Sequence, residues 1–289
     1  MVAVPAGEFI MGSDSHYPEE MPAHRQSVGA FAIDIHPVTN ADFRRFIKDT
    51  SCLTTAEQPP DAADFPGADP RDLVAGSLVF TPTDSPVPLD DWQRWWAWVP
   101  GADWRHPRGP SSTLHGLDRH PVVHVSYEDA TAYAEWAGKA LPTEIEWEYA
   151  ARAGRPDTTY AWGEEMSPRG RAMANTWVGE FPWRNDDHRH PLTSPIGAYP
   201  ADSWGLVDMI GNVWEWTSTP WSDRGDTNRP AHPCCGVSPI TEANRFTIKG
   251  GSHLCAPSYC RRYRPPARQG QAVRSTTSHI GFRCVTRDS

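Results

Sequence analysis

Two short apolar runs open the chain, Val2-Ala3-Val4 and then Phe9-Ile10-Met11 between Glu8 and Gly12. A Pro-Ala-Gly turn separates the two runs, so the pattern predicts two short strands. A looser alternation over residues 26–35 predicts another. The spacing then turns helical three times, each time behind a start signal. Thr39, with Asp42 three positions on, opens a helix through Asp49. Ser126, with Asp129, opens one that ends near Gly138. Thr143, with Glu146, opens a third that carries Trp147 and Tyr149. In each case a hydroxyl and an acid three residues apart can satisfy each other's free backbone N–H groups. Gly138 and Gly154 are natural stops.

Between the first two helices, residues 52–121 show no period and are rich in Pro and Asp. A long irregular insertion folded over the surface is expected there. Its tryptophans, Trp92, Trp95, Trp96, Trp98 and Trp104, are expected in the core, the usual place for so large an apolar ring. Beyond Gly154 the pattern is again irregular, apart from short strands predicted at 214–216, 246–251 and 279–285.

Composition sharpens this picture. The 29 Pro and 22 Gly are spread along all 289 residues, and 14 Trp supply core anchors. That combination predicts one loop-rich α+β domain over 1–289, with little regular secondary structure. The net charge is −9 and no basic stripe is present, which argues against nucleic acid as a partner. No apolar run approaches the roughly 20 residues needed to span a membrane. The first residues lack a basic start, a long apolar stretch and a cleavage site, so a cytoplasmic location is expected. Six cysteines (Cys52, Cys234, Cys235, Cys255, Cys260 and Cys284) are few for a disulfide scaffold. The adjacent Cys234 and Cys235 are expected to be separate buried thiols.

Candidate chemistry is sparse. Asp208 and Glu215 flank Gly211, a compact source of hard oxygen donors for a calcium ion, although solvated loop acids would look the same. The 12 His include no His-Glu-x-x-His, and His188 and His190 sit in a charged loop beside Asp186 and Asp187. There is no phosphate-loop spacing and no Gly-x-Ser-x-Gly elbow. Cys255 and Cys260 stand out. They lie five positions apart within residues 250–264, a segment rich in Gly, Ser, Tyr and Arg. Such a pair can form a disulfide, bind a soft metal or act as a redox couple. Zinc would need four ligands, whereas two thiolates suit Cu(I). Arg261, Arg262 and Arg264 would favour the thiolate form.

Several blocks resemble a known family. In order they are Val4-Pro-Ala-Gly-Glu-Phe-Ile-Met-Gly, His36-Pro-Val-Thr-Asn, His120-Pro-Val-Val-His-Val-Ser, Leu141-Pro-Thr-Glu-Ile-Glu-Trp-Glu-Tyr-Ala, Gly211-Asn-Val-Trp-Glu-Trp, Gly250-Gly-Ser and Gly281-Phe-Arg-Cys. Together they resemble the formylglycine-generating enzyme (sulfatase-modifying factor) superfamily over essentially the whole chain. The block from Gly250 to Arg264 marks the formylglycine-generating branch. The resemblance implies a loop-rich fold related to C-type lectins. It also implies oxidation, with O2, of the cysteine in a Cys-x-Pro-x-Arg segment of an unfolded sulfatase to Cα-formylglycine. Cys255 and Cys260 would hold Cu(I). Ser252, Trp214, Tyr259, Arg268 and His279 match positions that line the substrate and oxygen pocket. Asp208, Gly211, Val213 and Glu215 match a calcium site. Asn175 and Thr176 match part of a second, which Asp187, or Asp186 beside it, would complete.

Some positions depart from the family pattern. Residues 271–276 read Gln-Ala-Val-Arg-Ser-Thr, placing Arg274 where an acid is usual, and His279 replaces a usual Asn. Cysteines that form disulfides in animal relatives are replaced by Ala134, Ala151 and Pro265, as expected of a bacterial, cytoplasmic, monomeric member. Two other readings stay open. An iron enzyme of thiol-histidine metabolism is disfavoured because such relatives carry an added N-terminal helical domain. A non-catalytic, sulfatase-binding relative would fit the altered 271–276 segment.

Overall fold

The structure, a computed structural model, describes residues 1–64, 67–155, 158–222 and 244–287; Cys234 and Cys235 lie outside them. In chain order the elements are β1 (Val2–Val4), β2 (Gly7–Met11), β3 (His24–Val28), β4 (Phe31–Ile33), α1 (Asn40–Thr50), β5 (Gly76–Phe80), β6 (Trp96–Pro100), α2 (Tyr127–Trp136), α3 (Glu144–Arg152), β7 (Gly179–Glu180), β8 (Arg184–Asn185), β9 (Trp214–Pro220), β10 (Arg245–Lys249), β11 (Arg268–Ala272), β12 (Ile280–Gly281) and β13 (Val285–Thr286). Long loops and short 3-10 turns connect them. This is the loop-rich α+β class that the pattern predicts.

The three helices start where the hydroxyl–acid pairs stand. Thr39, Ser126 and Thr143 each accept from the backbone N–H three residues on, and Asp42, Asp129 and Glu146 each accept in return. α3 ends on Ala153 in the left-handed region, one residue before Gly154.

The strands differ more from expectation. β1 and β2 form as predicted but do not pair with each other: β1 joins β4 and β13, and β2 pairs with β3. The single strand expected over 26–35 is two, β3 and β4. Residues 52–121 are not wholly irregular, because β5 and β6 form an antiparallel hairpin there. β11 carries no apolar alternation, yet all five of its residues are buried. It forms the edge of a four-stranded sheet ordered β11-β10-β9-β12, antiparallel except for the β9–β12 pair.

Two apolar clusters fill the interior. The main one gathers Phe43, Phe46, Trp104, Tyr133, Trp147, Trp214, Trp216 and Phe282, and it includes Cys255 and Cys260. The second holds Phe80, Trp95, Trp96, Trp177, Phe181, Leu254 and Ala256. Of the five tryptophans expected in the core, Trp95, Trp96 and Trp104 are buried, Trp92 is half-buried and Trp98 is exposed. Trp98 lies on β6 and its indole N–H donates to the Val74 carbonyl, so a surface hairpin accounts for it.

A buried ionic layer lies beneath the sheet. Glu144 and Glu148 on α3 point inward. Glu148 accepts from Arg152 and Lys249, and Glu144 accepts from Arg268. The register places Lys249 of β10 directly opposite Arg268 of β11. Like charges across a strand pair are unfavourable. Glu144 offsets them, at 2.7 Å from Arg268 Nε and 3.7 Å from Lys249 Nζ. The segment 250–267, which carries the cysteine pair, joins these two strands and leaves the sheet at this like-charged pair.

Candidate thiol and metal centre

The loop above the Lys249–Arg268 pair turns at once. Gly250 and Gly251 both take positive φ, 95° and 72°. A Cβ on Gly251 would stand 2.7 Å from the Arg262 carbonyl oxygen, so only glycine lets the outgoing and returning chains pass so closely. Short-range backbone bonds then wind the segment. The Cys255 N–H donates to the Ser252 carbonyl at 3.0 Å, and the Tyr259 and Cys260 N–H groups both donate to the Ala256 carbonyl, at 3.1 and 2.9 Å. The Cys255 carbonyl accepts from the Trp177 N–H at 3.0 Å, which ties the loop to the second apolar cluster.

This winding brings the two sulfurs together. Cys255 Sγ lies 3.2 Å from Cys260 Sγ, the two form no disulfide, and they are 2% and 1% exposed. The Ser252 N–H lies 3.5 Å from Cys255 Sγ, and Ser252 Oγ accepts from the Leu254 N–H. Arg262 Nη1 lies 3.9 Å from Cys260 Sγ. Arg262 therefore reaches a sulfur with its guanidinium. Arg264 forms a two-pronged ion pair with Glu20, and Arg261 is held in its charged form first by a hydrogen bond to Tyr160.

The other residues singled out in the sequence divide into two groups. Tyr259 is at the pair, stacked on Phe181 with centroids 4.6 Å apart and edge-on to Trp95 at 5.4 Å. Trp214 is fully buried in the same cluster as both cysteines, and its N–H donates to the His279 carbonyl. His279 is buried, shares a 2.7 Å hydrogen bond with Thr277 Oγ1 and lies 4.8 Å from the Trp96 ring. Burial, and then the neighbouring His253 and His124, hold its pKa well below the ordinary histidine value. Arg268 departs from expectation. Its guanidinium is taken by Glu144 and by the Glu19 and Ser222 carbonyls, and it lies 4.3 Å from the Trp221 ring centroid. It therefore anchors the base of the loop.

The expected calcium ligands lie in a tight turn. Asp208 and Gly211 have φ of 55° and 76°, and a Cβ on Gly211 would stand 2.3 Å from the Asn175 carbonyl oxygen. Glu215 is fully buried; its Oε2 accepts from Trp147 and Arg283, and its Oε1 from Arg283 Nη2. One lone-pair direction on Oε1 remains after the Arg283 bond. Asp208 Oδ2 accepts from the Gly197 N–H, and burial pushes the carboxyl up to about 6. A desolvated carboxylate of this kind gains from a nearby cation, whereas Glu215 already has one in Arg283. Asn175 donates to the Leu192 carbonyl, and Asp187 lies on the same 185–192 loop, where it accepts from Arg189 and Tyr199. Among the described residues, no group of three or more His, Cys, Asp or Glu is arranged to hold a metal ion. No helix among them is long and apolar enough to cross a membrane.

Sequence reading missed Tyr17 and Glu19, which reach the loop from more than 240 positions away: the Arg261 N–H donates to Tyr17 Oη, and Arg262 pairs with Glu19. No periodicity marks the 17–20 turn. Phe80, Trp177 and Phe181 were missed as well. They pack with Leu254 and Ala256, which flank Cys255, and Phe80 and Trp177 also line a cavity of about 840 Å³ together with Leu192 and Ser278.

A buried pair of reduced cysteines on a loop-rich α+β frame defines the class. Residues 1–288 match the sulfatase-modifying factor enzyme 1-like domain, and the chain belongs to that family. It is 53% identical over 290 residues to the formylglycine-generating enzyme of Mycobacterium tuberculosis, covering 99% of this chain and 97% of the relative. It is 38% identical to a Mus musculus protein named inactive C-alpha-formylglycine-generating enzyme 2, covering 99% and 85%. Among solved structures, PvdO from Pseudomonas aeruginosa superposes with a TM-score of 0.62 at 25% identity, covering 99% of this chain and 93% of that one.

Proposed function

We propose that this chain oxidises the cysteine of a Cys-x-Pro-x-Arg segment in an unfolded sulfatase to Cα-formylglycine, using O2 and Cu(I) held by Cys255 and Cys260. The observation that carries this reading is the pair of buried sulfurs, not joined in a disulfide, 3.2 Å apart. The donor set fits the ion, because two soft donors shielded from water suit a soft monovalent cation of low coordination number. When bound, Cu(I) supplies an affinity for the substrate thiol and redox access to O2.

The chain's own residues do the rest. Ser252 orients Cys255 through its N–H, and Arg262 lies against Cys260. Tyr259, next to Cys260, packs on Phe181 and Trp95, and the two cysteines are almost closed to water. His279, neutral and hydrogen-bonded to Thr277, offers a polar edge without a charge. A cavity of about 840 Å³, which shares Phe80 and Trp177 with the second apolar cluster, is large enough to accept peptide side chains. Holding substrate and O2 together in such a site removes much of the entropic barrier to their reaction.

The net chemistry balances with an added thiol reductant. The methylene carbon of the substrate cysteine becomes an aldehyde and loses its sulfur as hydrogen sulfide. O2 takes two electrons from that carbon and two from a pair of reductant thiols, which leave as a disulfide. Of its two oxygens, one is accounted for in water and one in the aldehyde.

Calcium at Asp208, Gly211, Val213 and Glu215 would brace the turn that precedes β9, and a second ion at Asn175, Thr176 and Asp187 would brace the 185–192 loop. The chain is read as a cytoplasmic monomer. One relative of this fold is named inactive, so the catalytic reading rests on the thiol pair rather than on the fold. The test is to incubate copper-loaded protein with a Cys-x-Pro-x-Arg peptide and a thiol reductant in air, then analyse the peptide by mass spectrometry. Conversion of the cysteine to an aldehyde is expected. An unchanged peptide with copper bound refutes the proposal.

A further inference from the structure

The Arg262 guanidinium has a neighbour on each side. Its Nε and Nη2 edge faces Glu19 Oε1, at 3.1 and 2.5 Å. Its Nη1 end faces Cys260 Sγ at 3.9 Å. Its flat face lies 4.1 Å from the centroid of the Tyr17 ring, a cation–π arrangement. Tyr17 is fixed in turn, because its hydroxyl oxygen accepts from the Arg261 backbone N–H at 3.0 Å. The Arg262 side chain is 7% exposed and Glu19 is 21% exposed. Glu20, next in sequence, forms a fully buried ion pair with Arg264, two residues past Arg262. The 17–20 segment thus straps the returning arm of the cysteine loop at three successive points.

We propose that Arg262, clamped by Glu19 and Tyr17, is a positioning residue that fixes Cys260 and supplies the counter-charge of the dithiolate centre. The proposal rests on the functional reading above. Two thiolates and one Cu(I) leave a net negative charge in a site almost closed to water. Such a charge is costly unless a cation is paired with it. Arg262 is a cation in contact with one of the two sulfurs. A guanidinium suits the place because its planar fork can serve a carboxylate along one edge and an anion at its other end. Lysine, a single point of charge, could supply the charge but could not hold both partners.

The test measures Cu(I) affinity by competition with a chromogenic chelator, on reduced protein without substrate. KM and kcat for the peptide are measured alongside. Arg262→Gln is expected to bind Cu(I) about tenfold more weakly, the scale of one charge-assisted hydrogen bond. Arg262→Lys is expected to recover most of that affinity while kcat stays below wild type, because charge returns without placement. Wild-type affinity in Arg262→Gln overturns the proposal. So does Arg262→Lys behaving like Arg262→Gln in both affinity and kcat, since the contact would then be packing alone. Should Arg262→Gln fail to fold, Glu19→Ala, at the rim, carries the test: about threefold weaker binding is expected, and unchanged binding overturns the clamp. If wild type takes no Cu(I), the functional reading fails and this inference with it. If wild type binds Cu(I) and forms aldehyde while the variants match it, only this inference fails.

Discussion

Asp129 shows how one residue can stabilise the fold and still cost it something. Its carboxylate accepts from the Ser126 N–H, completing the cap of α2, and from the Thr55 N–H of the distant 52–57 segment. It is 5% exposed, and burial outweighs those bonds, pushing the carboxyl up to about 6. The folded-state pKa therefore lies above the unfolded one, so the folded protein binds this proton more tightly. Stability from this group is present in full below the unfolded pKa of about 4 and is lost as pH rises through about 6. Chemical denaturation of wild type and Asp129→Asn across this range should show the gap between them shift against wild type by about 3 kcal/mol. A constant gap would mean that Asp129 is not desolvated. The capping role was legible from the Ser-x-x-Asp spacing. The Thr55 contact was not, because it joins positions 74 apart. The same limit hid Glu19 from Arg262, whereas Cys255 and Cys260 were legible because one short loop holds both.

At the scale of elements, α3 carries the argument. Its sequence, Glu-Ile-Glu-Trp-Glu-Tyr-Ala-Ala-Arg, shows a helix start plainly but gives no sign that its acids face inward. They do so because β10 and β11 place Lys249 opposite Arg268, and the sheet needs an anion there. β11 itself was illegible for the same reason. Its Arg268-Gln-Gly-Gln-Ala run is stabilised by polar partners such as Glu144 and by register rather than by an apolar face. Glu144→Ala would leave the two buried cations without their shared partner. A loss of about 3–5 kcal/mol is expected in urea unfolding. Because Lys249 and Arg268 form the base of the cysteine loop, Cu(I) retention should fall as well. Retention unchanged at full stability would show that the loop does not depend on its base.

For the whole molecule, the family blocks were enough to give the class, since they mark turns, caps and strand ends along the chain. They could not give the assembly, in which segments far apart in sequence meet around one short loop: Tyr17 to Glu20, α3, the Trp177 turn and β9 to β12. The pairing of β1 with β4 and β13, rather than with its neighbour β2, is of the same kind. What this assembly builds is a buried site with two sulfurs 3.2 Å apart and a guanidinium beside them. The account stands on those sulfurs being a copper site. The direct measurement is the metal content of freshly reduced protein after Cu(I) loading and desalting, for wild type and for Cys260→Ser. The account predicts one copper per chain in wild type and its loss in the variant. Copper retained by Cys260→Ser, or no copper retained by folded wild type, would contradict it.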